Sequence, residues 1–241
     1  MLFFFIRHGD PVYQPDSLTP LGVRQAEALA KRLAQHGLDK VYSSTSNRAI
    51  MTAQPTCELL KLKPELLEFA HEAHAFEEFH EELENGGGSW VFASPKFINL
   101  FHEKEVRDLG DRWYDHPAFE KTNCKAGMAR IYEESDRFFA DMGYEHIRYT
   151  GKYKVTRSND QRVALFAHAG FGKAFLSCLL DIPYPIVSTQ FHLTTSGMTV
   201  IDFPEQEGYC IPRILTLDSD SHLYRENLPS EYTTHVHTIR F

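Results

Sequence analysis

The sequence predicts an α/β fold: a three-layer α/β/α sandwich with a mostly parallel central sheet and a helical insertion, or cap, over the C-terminal edge of that sheet. Strand and helix patterns alternate through the N-terminal quarter, which favours parallel strands joined by crossover helices. Residues 2–6 and 163–167 are continuous apolar runs, as in strands covered on both faces. The 241 residues suit one domain over 1–241, with the insertion at about 79–125.

Local signals predict the elements of the first part of the chain. We expect strands at 2–6, 40–43 and 66–69, and helices at 20–35 and 46–60. Thr19 is a suitable N-cap for the first helix, because its hydroxyl can accept a hydrogen bond from a free backbone N–H. Pro20 stands at the first helical position, and Gly37 supplies the C-terminal stop.

The rest of the chain predicts an insertion and then a return to the sheet. Residues 84–89 are flexible by composition. Residues 90–123 are rich in aromatic and charged side chains, which we interpret as a helical cap whose own core takes at least half of those aromatics. Beyond the cap we expect helices at 128–142 and 171–180, strands at 153–157, 162–167, 198–203 and 213–217, and a turn at 158–160 that joins the first two of these strands.

The composition excludes several classes of protein. The chain is 42% hydrophobic and 24% charged, as in an ordinary globule that needs no disulfide or metal to fold. Its 25 basic and 33 acidic residues give a net charge of -8, which does not suit nonspecific binding to nucleic acid or to an anionic membrane. The cysteines are far apart, without CxxC spacing, and no stretch is long enough to span a bilayer, so we expect a cytoplasmic protein with reduced thiols.

Two apolar strands end in the same way. FFFIRHG carries His8 and ALFAHAG carries His168, each at the end of a run that should form a buried strand. In a parallel α/β sheet the ligand crevice lies beyond the carboxyl ends of the strands. The two histidines are therefore expected to face one crevice, together with Arg7.

These stretches form part of an ordered series of motifs. RHG is followed by LTPLGVRQA at 18–26, by SSTSNRAIMTA at 43–53 and by FAHAG at 166–170. The series resembles the histidine phosphatase superfamily, also called the phosphoglycerate-mutase-like fold, over residues 2–62 and 162–202. The middle third of the chain matches only loosely.

The resemblance implies a role for each matched residue. His8 would be the nucleophile, whose neutral imidazole attacks phosphorus and forms a phosphohistidine. Arg7 and Arg48 would hold the phosphoryl oxygens, which suits guanidinium geometry. Arg48 should also lie in the first turn of its helix, where a cation is unfavourable unless an anion is bound nearby. His168 would be a further donor to the phosphoryl group, and no metal or other cofactor is required.

The general acid is expected among the carboxylates of residues 72–84. Cleavage of a phosphate ester leaves an alkoxide that must be protonated. Members of the family often have an apolar residue, a variable residue, Glu and then an aromatic residue at this point. That pattern selects Glu78, with Phe76 before it and Phe79 after it, and leaves Glu77 as the alternative.

Several functional alternatives remain open. His71, His74 and His80 lie among carboxylates, but His71-Glu72-Ala73-His74 is one residue short of the H-E-x-x-H zinc pattern. The hydroxyl and amide residues that usually follow RHG in the mutases are absent or displaced, which favours a phosphatase of the family over a mutase. We expect a phosphomonoesterase for a small phosphorylated metabolite that releases inorganic phosphate, as a monomer or homodimer. The alternatives are a mutase, a non-catalytic phosphate-binding module and a metal-dependent hydrolase.

Overall fold

The computed structural model describes residues 1–83 and 86–231. Glu84 and Asn85, which belong to the stretch expected to be flexible, and the His235-Val236-His237 stretch, which alternates as a strand would and has no assigned role, lie outside the described residues. Within them, helices at Pro20–His36 and Asn47–Leu60 and strands at Leu2–Arg7 and Arg162–Ala167 lie close to their expected positions.

The strands, in chain order, are β1 (Leu2–Arg7), β2 (Pro11–Tyr13), β3 (Asp16–Leu18), β4 (Lys40–Ser44), β5 (Glu65–Leu67), β6 (His80–Glu82), β7 (Gly88–Trp90), β8 (Tyr144–Ile147), β9 (Lys152–Val155), β10 (Arg162–Ala167), β11 (Met198–Asp202), β12 (Tyr209–Cys210) and β13 (Arg213–Ser219). The α-helices are α1 (Pro20–His36), α2 (Asn47–Leu60), α3 (Glu72–Glu78), α4 (Pro95–Phe101), α5 (Lys104–Asp108), α6 (Cys124–Asp141), α7 (Ala169–Leu180), α8 (Tyr184–Gln190) and α9 (Ser221–Arg225).

The main sheet is mostly parallel, as predicted. Its strand order is β13-β11-β1-β10-β4-β5. Strands β1, β10, β4 and β5 pair in parallel, whereas β11 runs antiparallel to both of its neighbours. The carboxyl ends of the central strands therefore meet at one edge of the sheet, where a ligand crevice is expected.

The two faces of the sheet bury alternate residues of β1. Phe3 and Phe5 point into a core formed with α6 and α7, and the Phe3 ring lies 5.3 Å from the ring of Phe139. Phe4 and Ile6 point into a second core formed with α1 and α2. Both faces of the sheet are covered by helices, so the three-layer sandwich predicted from the continuous apolar run is confirmed.

The helical insertion has its own aromatic core. Helices α4 and α5 and the 3₁₀ turns at Gly110–Asp115 and Pro117–Phe119 surround the buried rings of Phe101, Trp113 and Phe119. The Trp113 ring stacks on Tyr184 of α8 at 5.4 Å between ring centres. Most of this segment therefore packs against the α7–α8 side of the protein, while Trp90 and Phe92 at its beginning line a crevice.

The stretch at 158–160 joins β9 to β10, as expected, but these two strands do not pair with each other. Strand β9 pairs with β8 and β12 in a separate three-stranded sheet, whereas β10 lies in the centre of the main sheet. Turn residues signal a change of direction, but they do not specify the strand with which the chain pairs next. Among the described residues, none of the helices is long and apolar enough to cross a bilayer.

Candidate active site

The register of the central strands brings the two predicted histidines together. Arg7, the last residue of β1, pairs with Ala167, the last residue of β10. His8 and His168 follow these two residues, and their rings meet edge to face with centres 5.2 Å apart. Two strand ends with the same sequence layout thus form one site, as the sequence predicted.

The loop after β1 is held by side chains of α1 and α2. The Gly9 N–H donates to Oγ1 of Thr52 at 3.0 Å, and the Asp10 N–H donates to Oε1 of Gln25 at 2.7 Å. Gly9 also lies directly against the backbone of Gly22 in α1, where a Cβ atom on Gly9 would come within 2.7 Å of the Gly22 carbonyl oxygen. This close approach of the two backbones fixes the direction in which His8 leaves the strand.

His8 is held as a neutral imidazole, and its second ring nitrogen has no hydrogen-bond partner among the described residues. Its Nδ1 lies 2.7 Å from the Gly9 carbonyl oxygen, which can only accept, so the proton is on Nδ1. Burial, reinforced by the adjacent Arg7 guanidinium, lowers the pKa of His8 to about 3. Nε2 therefore carries a lone pair in the crevice, as a nucleophile requires.

Arg48 is oriented by partners on two sides. One terminal nitrogen donates to the Asp16 carboxylate at 2.7 Å and the other to Nδ1 of His168 at 3.1 Å. The same Asp16 carboxylate also accepts from the Ser46 hydroxyl and the Asn47 N–H, both at 2.7 Å. Asp16 thus supplies the anion that a cation in the first turn of α2 requires, a role that we expected from a bound phosphate.

Arg7 is anchored from the other side of the crevice. Its Nη1 donates to the Leu193 carbonyl at 2.6 Å and lies 3.1 Å from a carboxylate oxygen of Glu231. Burial opposes ionisation of Glu231, but His192 at 3.7 Å, the Arg7 charge and the Thr195 N–H lower the pKa of Glu231 to about 2. Glu231 is a crevice residue that sequence reasoning missed, since it lies far along the chain from every motif.

Both arginines keep a buried donor without a partner among the described residues. The Nε atoms of Arg7 and Arg48 are buried and have no hydrogen-bond acceptor there. A buried donor without a partner costs about 1–3 kcal/mol, and more for a charged group. Two such donors beside His8 point to an anion as the ligand of this crevice.

His168 is fully buried, and both of its ring nitrogens are engaged. Nδ1 accepts from Arg48, so Nε2 carries the proton and donates to the Ser44 hydroxyl at 2.8 Å. Burial, together with His8, lowers the pKa of His168 well below its usual value. In this arrangement His168 positions Arg48, whereas the sequence predicted a direct donor to the phosphoryl group.

Glu78, the residue selected as the general acid, lies elsewhere. Its two carboxylate oxygens accept from Nε and Nη2 of Arg130 at 2.5 and 2.6 Å, and it is not among the residues that line the crevice. Glu77, the alternative, is exposed to solvent. The pattern that selected Glu78 depended on its aromatic neighbours, but here Phe79 packs into the core, Phe76 faces the crevice, and Glu78 faces Arg130 of α6.

Among the described residues, Glu72 and Glu231 are the carboxylates that line the crevice with His8, and Glu72 is the one that belongs to the acidic stretch. It is the first residue of α3, and its two oxygens accept from the Gly170 and Phe171 N–H groups of α7 at 3.0 and 2.9 Å. Burial raises the pKa of Glu72 to about 7, although these two hydrogen bonds act in the opposite direction. Glu72 was one of the carboxylates in the acidic stretch, and only the fold distinguishes it from the others.

The whole crevice has a volume of about 810 Å³ and extends beyond the groups around His8. Three aromatic rings, those of Phe76, Trp90 and Phe92, form one wall. The Trp90 ring lies so close to Gly170 that a Cβ atom there would come within 2.3 Å of it. Lys173 of α7 completes this side of the crevice, with its ammonium 4.0 Å from the centre of the Phe92 ring.

The three histidines of the acidic stretch serve separate purposes. His71 accepts the Ala73 N–H at the start of α3, His74 pairs with Glu68, and His80 bonds to the Phe76 carbonyl. Within residues 1–83 and 86–231, no three His, Cys, Asp or Glu side chains are grouped to hold a metal ion.

Comparison with known proteins agrees with this architecture. Residues 3–98 match the model of the histidine phosphatase superfamily (branch 1). No curated protein matches the sequence.

Solved structures share the fold over most of their length. Phosphoserine phosphatase from Entamoeba histolytica superposes with a TM-score of 0.59 and 18% identity, over 92% of this chain and 98% of that one. A mycobacterial glucosyl-3-phosphoglycerate phosphatase gives 0.61 and 17%, over 90% and 98%. The alpha-ribazole phosphatase of Shigella flexneri gives 0.55 and 18%, over 91% and 97%.

Proposed function

We propose that this chain is a metal-independent phosphomonoesterase of the histidine phosphatase superfamily that acts on a small phosphorylated metabolite. One observation carries the proposal. His8 presents a neutral Nε2 in a crevice where buried Nε–H groups of Arg7 and Arg48 have no acceptor among the described residues. A phosphoryl group would accept from both arginines while its phosphorus faces the imidazole.

The first step transfers the phosphoryl group to His8. Nε2 attacks phosphorus in line and forms the N–P bond as the ester P–O bond breaks, while Arg7 and Arg48 stabilise the charge on the equatorial oxygens. The leaving alkoxide takes the proton of the Glu72 carboxyl group. A pKa of about 7 makes this group a competent donor near neutral pH.

The second step hydrolyses the phosphohistidine. Glu72, now a carboxylate, accepts a proton from water as the water oxygen attacks phosphorus and the N–P bond breaks. Inorganic phosphate is released, His8 is again neutral, and Glu72 is again protonated. The Gly9 carbonyl, which holds the Nδ1 proton throughout, prevents the ring from changing tautomer.

The solved structures with this fold support a small phosphorylated substrate. Their names describe phosphatases of phosphoserine, glucosyl-3-phosphoglycerate and alpha-ribazole. A crevice of about 810 Å³, walled by aromatic side chains, suits a metabolite better than a folded phosphoprotein.

The test is hydrolysis of para-nitrophenyl phosphate in the presence of EDTA, with His8→Ala as the matched inactive variant. We expect the wild-type rate to survive EDTA and the His8→Ala rate to fall to background. Mass spectrometry of a rapidly quenched reaction should also detect protein heavier by one phosphoryl group, with the added mass on His8.

Three results would contradict the proposal. Turnover that His8→Ala retains would place the chemistry on another residue. Turnover that EDTA abolishes and added metal restores would favour a metal-dependent hydrolase. Phosphate binding without any turnover by the wild type would favour a binding module.

A further inference from the structure

We propose that Lys173 selects phosphomonoesters whose alcohol part carries a carboxylate. The inference rests on the proposed phosphatase function and names the substrate class for the same crevice. Its starting observation is a partly buried lysine in the crevice wall that no carboxylate of the described residues neutralises through an ion pair.

Lys173 lines the same crevice as Glu72. Ala169, Gly170 and Lys173 line the crevice from one face of α7. Lys173 is three residues beyond Gly170, which is about 4.5 Å along the helix axis. The Gly170 N–H donates to the Glu72 carboxylate, so the acid and the lysine are both reached from this crevice.

The ammonium of Lys173 is held in place with donors to spare. One N–H donates to the Ser188 carbonyl at 2.6 Å, and the Phe92 ring lies 4.0 Å away. An ammonium group has three donors. Its two remaining donors are thus available to a ligand, and the contacts to Ser188 and Phe92 restrict the direction in which they point.

The surroundings of Lys173 favour an anionic ligand over a neutral one. Burial, with the Arg7 charge, lowers the pKa of Lys173 to about 8, so the amine is still mostly protonated at neutral pH. A partly buried cation is stabilised by a carboxylate through a charge-assisted hydrogen bond. Because Lys173 provides a single charge, a carboxylate matches it better than a second, doubly charged phosphate.

The experiment measures binding of two matched probes to the catalytically silent His8→Ala protein. 3-Phosphoglycerate and glycerol 3-phosphate both have three carbon atoms. The first ends in a carboxylate, whereas the second has a hydroxymethyl group at the same position. Calorimetric titration should show that the carboxylate probe binds at least about tenfold more tightly, as expected for one hydrogen bond between charged groups. Adding Lys173→Gln, which keeps an N–H for the Ser188 carbonyl, should remove most of that preference.

Two further variants serve as controls. Lys173→Arg keeps the charge and should keep the preference. Lys152→Gln removes a lysine that also lies over an aromatic ring, that of Tyr209, but outside the crevice, and should not change the ratio of dissociation constants.

Equal affinities for the two probes, or a preference that survives Lys173→Gln, would overturn the inference. The outcome is separable from that of the phosphatase proposal. Carboxylate preference without para-nitrophenyl phosphate turnover would contradict the phosphatase alone, and turnover without preference would contradict the role of Lys173 alone.

Discussion

At the scale of single residues, the environments of His8 and Glu72 divide the chemistry between them. Both groups are neutral at mildly acidic pH, although one is a base and the other an acid. Burial lowers the pKa of His8 to about 3 and raises that of Glu72 to about 7. A neutral nucleophile and a protonated acid therefore coexist over the pH range between these values.

This division predicts the pH dependence of turnover. Activity should fall as pH rises through about 7, where Glu72 loses its proton, and as pH falls towards 3, where His8 gains one. Glu72→Gln should slow turnover by about 10²–10⁴-fold. The loss should be larger for glycerol 3-phosphate than for para-nitrophenyl phosphate, since nitrophenolate leaves without a proton.

Glu78→Gln is the matched control for the acid. Its carboxylate pairs with Arg130, so we expect the pH profile of the wild type. Steady-state rates between pH 4 and 9 for the two variants would decide the assignment. Two outcomes would support Glu78 as the general acid instead. One is a wild-type pH–rate profile for Glu72→Gln, and the other is a Glu78→Gln profile without the fall in rate above about pH 7.

The proximity of Arg7, His8, Arg48 and His168 could be predicted from the sequence. Each of them lies at the end of a strand or the start of a helix, and a parallel sheet places such ends side by side. The sequence could not identify Glu72. Six carboxylates occur in the acidic stretch counted from Glu72 to Glu84, and local patterns treat them alike. Only the contact of α3 with the first turn of α7, which is set by tertiary packing, selects one.

At the scale of elements, the β6–β7 hairpin and α7 meet through one close contact. The outer atoms of the Trp90 ring occupy the space where a Gly170 side chain would lie. This contact sets the position of the aromatic wall relative to Glu72, because Gly170 also donates to that carboxylate.

We expect Gly170→Ala to push Trp90 away and to weaken the hydrogen bond to Glu72. Overpacking of this kind costs typically about 1–3 kcal/mol of unfolding free energy. Turnover should fall as well, and both effects are measured by urea denaturation and steady-state kinetics. The double variant Gly170→Ala/Trp90→Phe lacks the outer indole atoms and should recover stability. Equal stability of the wild type and the single variant would contradict the contact.

Sequence patterns predicted the long elements and some short strands, such as β4 and β5, but they missed other short elements. Helix α1 has the Thr19 cap and the Gly37 end that its sequence signals, and its periodic apolar face packs on the sheet. The hairpins β2–β3 and β6–β7 and the helix α3 have few residues, so periodicity is too short to detect. These short elements supply Asp16, Glu72 and Trp90, which is why the predicted site was incomplete.

At the scale of the whole molecule, a buried ion-pair cluster ties α6, β8 and the end of α7 together. His146 is almost entirely buried and bonds Asp136 at 2.8 Å and Asp181 at 3.1 Å. Burial alone would lower the pKa of His146, but the two carboxylates raise it from 6.5 to about 9.

A raised pKa in the folded state stabilises the fold below pH 6.5, and the stabilisation is lost as pH rises through 9. The unfolding free energy should therefore decrease by up to about 3 kcal/mol over that interval. Urea denaturation between pH 6 and 10 measures it. His146→Gln should be less stable at pH 6 and should lack this decrease, whereas His102→Gln, at an exposed position, should retain it. A flat profile for the wild type would contradict the role of the cluster.

The double anchoring of Arg48 has a consequence for the thermodynamics of ligand binding. A free arginine side chain carries about 2 kcal/mol of rotamer entropy, which binding would normally remove. Here Asp16 and His168 restrict the side chain while the protein folds, so that loss precedes any encounter with phosphate. Phosphate binding should consequently have a smaller entropic penalty. The entropy lost in ordering Arg48 instead lowers the free energy of unfolding.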